Sequence, residues 1–278
     1  MTLYRPDSLD SALSLLGKGG MTVLAGGTDV YPGLRDGAPP AHLLDISGIA
    51  GLRGIARAGG QWRIGAATTW TDVIRADLPP LFDGLKLAAR EVGSVQIQNS
   101  GTVAGNLCNA SPAADGVPVL MALDALVEVQ GPGGSRQVPL TDFIAGPRAV
   151  ALDPGELVTA VLIPDGPGQG AFLKLGARRY LVISIAMVGA VIATRSGRID
   201  RARVAVGSCG PVARRLTGVE TALTGAAPGD VARLVAAADL PELAPIDDVR
   251  ATATYRNDAA RTLIARAILM AMEAPHVA

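Results

Sequence analysis

The sequence predicts an α+β protein whose two domains meet near residue 168. Short apolar runs alternate with helical patterns through the first third of the chain. The stretch Pro164-Asp-Gly-Pro-Gly-Gln-Gly170 has no periodicity and is dense in turn formers. Beyond it, strands come in one block and helices in the next, which is an α+β arrangement. With 278 residues, 49% of them hydrophobic and 18% charged, the chain is globular and can bury a sizeable core. Its 25 basic and 25 acidic side chains cancel, which argues against broad binding to nucleic acid or anionic membrane.

In chain order, Ser8 is a helix-start residue followed by apolar positions at helical spacing to Leu16. Met21–Leu24 reads as a strand ending in the glycine loop Ala25-Gly26-Gly27-Thr28-Asp29. Strands are expected at His42–Ile46 and Trp62–Ile64, and a helix over Leu78–Val92. Ser94–Gly105 is polar and glycine-bearing. Ser111-Pro112 then starts a helix to about Leu123, because proline at a first helical position loses no needed N–H. Ala125–Gln130 reads as a strand closed by the turn Gly131-Pro-Gly-Gly134.

Past the boundary, Phe172–Leu175, Val182–Thr194 and Arg201–Ser208 read as three strands, the last two joined at Ser196-Gly197. Helices are expected over Val212–Leu223, Pro228–Ala238 and Thr254–Ala274. The last carries Leu263, Ile264, Ala267, Ile268 and Ala271 on one face, the spacing of a helix packed on a sheet. No apolar run is long enough to span a bilayer, and the N-terminus lacks the regions of a signal peptide. The expectation is a soluble, cytoplasmic protein.

The chemistry is constrained by scarcity. Cys108 and Cys209 are the two cysteines, and His42 and His276 the two histidines, too few for an iron–sulfur cluster or a structural zinc. A Ser or Cys nucleophile would need one of these imidazoles as its base; His42 precedes an apolar strand and His276 sits near the C-terminus. Neither a G-x-G-x-x-G after a strand nor a P-loop is present.

Two glycine segments remain. In Ala25–Asp29, adjacent glycines let backbone amides approach a ligand, and exposed amides beside a Thr hydroxyl form a nest for phosphate oxygens. Alone, this loop reads first as a strand-to-helix turn. The second segment is Gly101-Thr102-Val103-Ala104-Gly105-Asn106, followed by Asn109-Ala110-Ser111-Pro112-Ala113-Ala114-Asp115. A helix beginning at Ser111 would present its favourable end to an anion, with Asp115 in its first turn. That too is ordinary in isolation.

Together the segments resemble the flavin-binding subunit of the molybdenum hydroxylases, which include xanthine dehydrogenase and carbon monoxide dehydrogenase. That family has A-G-G-[TQH]-[SD], then T-x-G-G-[ND] before A-S-P-x-x-D; here these stand as Ala25–Asp29, Thr102–Asn106 and Ala110–Asp115. Phe172-Leu-Lys174-Leu-Gly-Ala-Arg178 is similar to the family's F-x-K-x-x-x-R. Gly207-Ser208 with Pro211 and Arg214 resembles G-[SG]-x-x-P-x-R, and Tyr255-Arg256 resembles the family's opening of the last helix. The likeness covers essentially the whole chain. Two positions depart from the pattern: Ala104 replaces the first glycine of a pair, and Val182 stands where relatives often carry Asp.

The resemblance implies a two-subdomain FAD-binding domain of the vanillyl-alcohol-oxidase (PCMH) type, residues 1–168 with subdomains of about 1–57 and 58–168. A C-terminal domain, 169–278, of a three-stranded antiparallel sheet packed with helices would follow. It implies FAD with Gly26, Gly27, Thr28 and Asp29, next to Ala25, at the pyrophosphate. Thr102, Ala104, Gly105, Asn106, Asn109 and Ser111 would lie on the other side, Asp115 on a ribose and Lys174 near the isoalloxazine. The partners implied are a large molybdenum-cofactor subunit and a small [2Fe–2S] subunit, with an external electron acceptor. Residues alone leave two alternatives open: a stand-alone flavin oxidoreductase of the same fold, and a flavin-free interaction module.

Overall fold

The computed structural model describes residues 1–34 and 38–273. The chain begins with β1 (Thr2–Tyr4), α1 (Leu9–Leu16), β2 (Met21–Leu24), α2 (Val30–Gly33) and β3 (His42–Asp45). These strands form a parallel sheet in the order β1-β3-β2. The middle strand carries two successive buried leucines, Leu43 and Leu44, because an interior parallel strand is covered on both faces. Ser8 caps α1 by accepting from the Ser11 amide, as its sequence position predicts.

The next stretch runs β4 (Ile55–Ala58), β5 (Gln61–Gly65), α3 (Trp70–Arg75), α4 (Asp83–Glu91), α5 (Val95–Ser100), α6 (Val103–Asn109) and α7 (Gly116–Ala122). It continues with β6 (Leu126–Gly131), β7 (Gly134–Pro139), α8 (Leu140–Phe143), the hairpin β8 (Ile144–Gly146) and β9 (Ala149–Val150), and β10 (Leu157–Pro164). Five strands pair antiparallel in the order β4-β5-β10-β6-β7. The central strand β10 has no counterpart among the sequence expectations, although it is buried from Leu157 to Ile163. Its apolar run is continuous rather than alternating, so periodicity does not flag it.

The last segment comprises β11 (Gln169–Leu175), β12 (Ala186–Arg195), β13 (Arg198–Gly207), the two-residue β14 (Arg214–Arg215), α9 (Thr217–Leu223), α10 (Val231–Ala237) and α11 (Ala253–Glu273). Its antiparallel sheet, ordered β11-β12-β13-β14, is the expected three-stranded sheet with a short edge strand added. β12 is buried from Ala186 to Ala193 because α11 covers one face while α4 and α7 cover the other. The approach is close: a Cβ on Gly189 would lie 2.6 Å from the Val119 amide nitrogen. Leu263, Ile264, Ala267, Ile268 and Ala271 are the buried face of α11, as their spacing predicts. Burying each Ile side chain contributes about 1.5–3 kcal/mol. The expected end of this helix at Ala274, and His276, lie outside the described residues.

Several boundaries differ for local reasons. The expected helix from Leu78 begins as a 3-10 turn at Pro80–Phe82, opened by the Pro79-Pro80 pair that lacks amide donors, and turns α-helical only at Asp83. The expected helix from Val212 starts at Thr217, because Arg214 and Arg215 pair with Val206 and Ala205. The strand expected from Val182 starts at Ala186; Leu181 takes a left-handed φ of 52°, and residues 176–185 form a loop. No helix among the described residues is long and apolar enough to cross a membrane.

Candidate functional site

One cleft of about 690 Å³ gathers both glycine segments. Ala25, Gly26, Gly27, Thr28 and Asp29 form one wall. Gly27 adopts φ +70°, and a Cβ there would lie 2.5 Å from the Tyr31 ring. Gly26 is bare for a different reason: its Cβ would sit 1.8 Å from the Ser100 carbonyl oxygen. The backbone of the first segment therefore lies directly on the chain that leads into the second. The amides of Gly26, Gly27, Thr28 and Asp29 donate to no acceptor among the described residues.

Opposite stand Thr102, Ala104, Gly105, Asn106, Asn109, Ser111 and Asp115, all lining the same cleft. The structure corrects the expectation of a glycine loop here. Ser94 and Thr102 instead cap two short helices, α5 and α6, and Thr102 Oγ1 accepts from the Gly105 amide at 3.0 Å. Ala104 is buried in α6. The amides of Val103 and Asn106 are also spent internally, on the carbonyls of Thr68 and Thr102. Asn106 Oδ1, by contrast, is buried without a partner.

The helix expected from Ser111 starts instead at Gly116. The Pro112 carbonyl, which would accept from the Gly116 amide in the first turn of such a helix, is taken by the Ser208 amide at 3.0 Å. Ser111 makes a turn, its carbonyl accepting from the Ala114 amide and its hydroxyl from the Ala113 amide. Asp115 becomes the residue before α7 and makes no side-chain cap. Its carboxylate turns to the C-terminal domain, meeting β11 and the loop ahead of β12. Oδ2 accepts from Lys174 Nζ at 2.7 Å and Oδ1 from Ser184 Oγ at 2.6 Å. Both members of the Asp115–Lys174 pair are buried, with 8% and 7% of their side chains exposed. Burial pushes the Asp115 carboxyl above the ordinary carboxylate range; Lys174 and Ser184 pull against this, while neighbouring Glu91 adds to it. Lys174 does not itself line the cleft.

The two walls are also tied at the rim. Asn109 Nδ2 donates to Asp29 Oδ1 at 2.8 Å, and Arg148 donates to both oxygens of Asn109. Because a guanidinium only donates and a carboxylate only accepts, these neighbours fix which way the Asn109 amide faces. No sequence motif marks Arg148, Trp70, Ser184, Leu181 or Ile183, although Leu181 and Ile183, with Val182, close the cleft from the C-terminal side. Leu181 and Ile183 are exposed, and a run of exposed aliphatics behind Arg178-Arg179 was the available signal. Trp70 is fully buried beneath Gly116, where a Cβ would meet its ring at 2.4 Å.

The arrangement can hold an extended ligand with an anionic middle, since free amides line one wall and polar side chains the other. Comparison with known proteins agrees. Residues 1–166 match the family described as FAD binding domain in molybdopterin dehydrogenase, and residues 171–271 match the CO dehydrogenase flavoprotein C-terminal domain. The alpha subunit of the 6-hydroxypseudooxynicotine dehydrogenase complex of Paenarthrobacter nicotinovorans is 32% identical, the match covering 96% of this chain and 92% of that one. The FAD-binding subunit of xanthine dehydrogenase from Escherichia coli O157:H7 is 31% identical, over 98% and 96% of the two chains. A chain of reconstituted CO dehydrogenase from Oligotropha carboxidovorans superposes with a TM-score of 0.90 at 30% identity, over 98% of this chain and 97% of that one. Two ordered matches across nearly the whole length identify the chain: it belongs to the molybdenum hydroxylase family as an FAD-binding medium subunit, an oxidoreductase component.

Proposed function

We propose that the chain is an electron relay, passing electrons from [2Fe–2S] clusters of a small partner subunit through FAD to an external acceptor. Substrate oxidation would take place on a large molybdenum-cofactor subunit. The observation that carries this reading is the run of four backbone amides along one wall of the cleft, residues 26–29, that donate to no acceptor among the described residues. A run of such amides beside a cleft is an anion-binding nest.

FAD fits them. When bound it supplies the redox chemistry, while the protein supplies position and electrostatics. Gly26, Gly27, Thr28 and Asp29, next to Ala25, hold the diphosphate through backbone amides and the Thr28 hydroxyl. Thr102, Gly105, Asn106, Asn109 and Ser111 offer polar contacts from the other wall, with Ala104 packed behind them. Asp115 accepts from a donor on the cofactor. Lys174 places its positive charge directly behind Asp115 and so favours negative charge within the cleft. Residues 1–168 act as the binding domain and 169–278 as the domain that covers it.

The test is the cofactor content of the chain purified with its partners. Acid precipitation should release one FAD per chain, with iron and molybdenum on the copurifying subunits. Flavin-free protein that takes up no added FAD would sink the reading.

A further inference from the structure

The Asp115 carboxylate is held by more than Lys174. Ser184 is fully buried in the loop ahead of β12, and its hydroxyl donates to Asp115 Oδ1 at 2.6 Å. Ser184 is pinned in turn. Arg250 Nη1 donates to its carbonyl at 3.0 Å, and Arg256 Nη1 donates to the next carbonyl, that of Ile185, at 2.6 Å. Both guanidiniums converge on Asp248, which accepts from Arg250 at 2.6 Å and from Arg256 at 2.7 Å. Arg256 is itself fully buried at the start of α11. A continuous polar chain thus runs from the last helix to the cleft, through residues far apart in sequence.

We propose that Ser184 is a positioning residue of the cofactor cleft: its hydroxyl fixes the Asp115 carboxylate, and the Asp248–Arg250–Arg256 cluster fixes Ser184. The inference rests on FAD occupying the cleft. A hydroxyl donor at this point does two things. It favours the ionised carboxylate, and it leaves Asp115 one orientation, with Oδ2 committed to Lys174. The charged groups that act on Asp115 are Lys174 from β11, which favours ionisation, and Glu91 at the end of α4, which opposes it. Neither takes the place of the Oδ1 bond. Without it, Asp115 Oδ1 loses its protein donor, and the carboxyl holds its proton to higher pH.

The experiment follows flavin release from the purified FAD-loaded assembly as pH is lowered, read by the fluorescence of free FAD. Wild type should release with an acid midpoint, and Asp115→Asn should remove that pH dependence. Ser184→Ala should move the midpoint up by on the order of one pH unit. Ser184→Thr, which restores a hydroxyl, should bring it back. Arg250→Gln leaves Oγ in place and should shift it less, in the same direction. This variant also decides the matter should Ser184→Ala not fold. Coincident midpoints for wild type and variants, or no acid midpoint in a wild type that carries FAD, would overturn the proposal. A wild type that carries no FAD would instead refute the cofactor reading.

Discussion

Replacing Lys174 by Met should destabilise the chain by an amount that depends on pH in a calculable way. The ammonium lies 2.7 Å from Asp115 with both groups almost out of solvent, so removing it strands a buried carboxylate. Breaking such a pair costs about 3–5 kcal/mol. The carboxyl can escape by taking a proton, and this sets a ceiling. Starting from an ordinary value of 3.8, holding the proton at pH 7 costs about 4.4 kcal/mol at 1.36 kcal/mol per unit. At pH 5 the same step costs only about 1.6 kcal/mol. Urea unfolding of flavin-free wild type and Lys174→Met at the two pH values should therefore show a loss that shrinks by more than half on acidification. Adding Asp115→Asn to Lys174→Met should recover most of the loss at pH 7, because the stranded charge is gone. An equal loss at both pH values would refute the reasoning, since the methionine would then be acting through packing alone.

Two further outcomes follow from the geometry. Gly26→Ala should abolish FAD binding, because its methyl would fall 1.8 Å from the Ser100 carbonyl oxygen and force the two glycine segments apart; an FAD titration showing wild-type affinity contradicts this. Asp248 is held well below the ordinary carboxylate range, chiefly by its hydrogen bonds with Arg250. A depressed native value stabilises the fold above the unfolded value of 3.8 and loses that contribution as pH falls below it. Thermal melts should therefore show Asp248→Asn less stable than wild type at pH 6, with the gap closing below about pH 4. A gap that is constant with pH refutes the assignment.

What could be read from the sequence depended on how locally each feature is determined. Local pattern fixes the buried face of α11 and the turn at Ser196-Gly197, and both stand where they were expected. The Ala25–Asp29 loop also lies where its glycines place it, along the cleft. The second segment lines the same cleft, in a conformation that its glycines do not announce. Two Ser/Thr caps make short helices there, too short to show an apolar period, and the Ser208 amide takes the Pro112 carbonyl that a helix from Ser111 would need in its first turn. Long-range bonds were beyond reach altogether. Ser184 meets Asp115 across 69 residues, and Arg256 meets Ile185 across 71, through contacts that no spacing announces. β10 escaped because burial on both faces erases the alternation that marks a strand.

On the proposed function, this chain would accept electrons from an iron–sulfur partner and would have no organic substrate of its own. The direct test is anaerobic rapid mixing of the FAD-loaded chain with the partner [2Fe–2S] subunit, reduced beforehand and freed of excess reductant, while flavin absorbance is followed. The flavin should bleach on mixing, and should not bleach when the FAD-loaded chain alone meets xanthine, an aldehyde or an N-heterocycle. A flavin that stays oxidised against the reduced partner, or one bleached by such a substrate with no other subunit present, would contradict it.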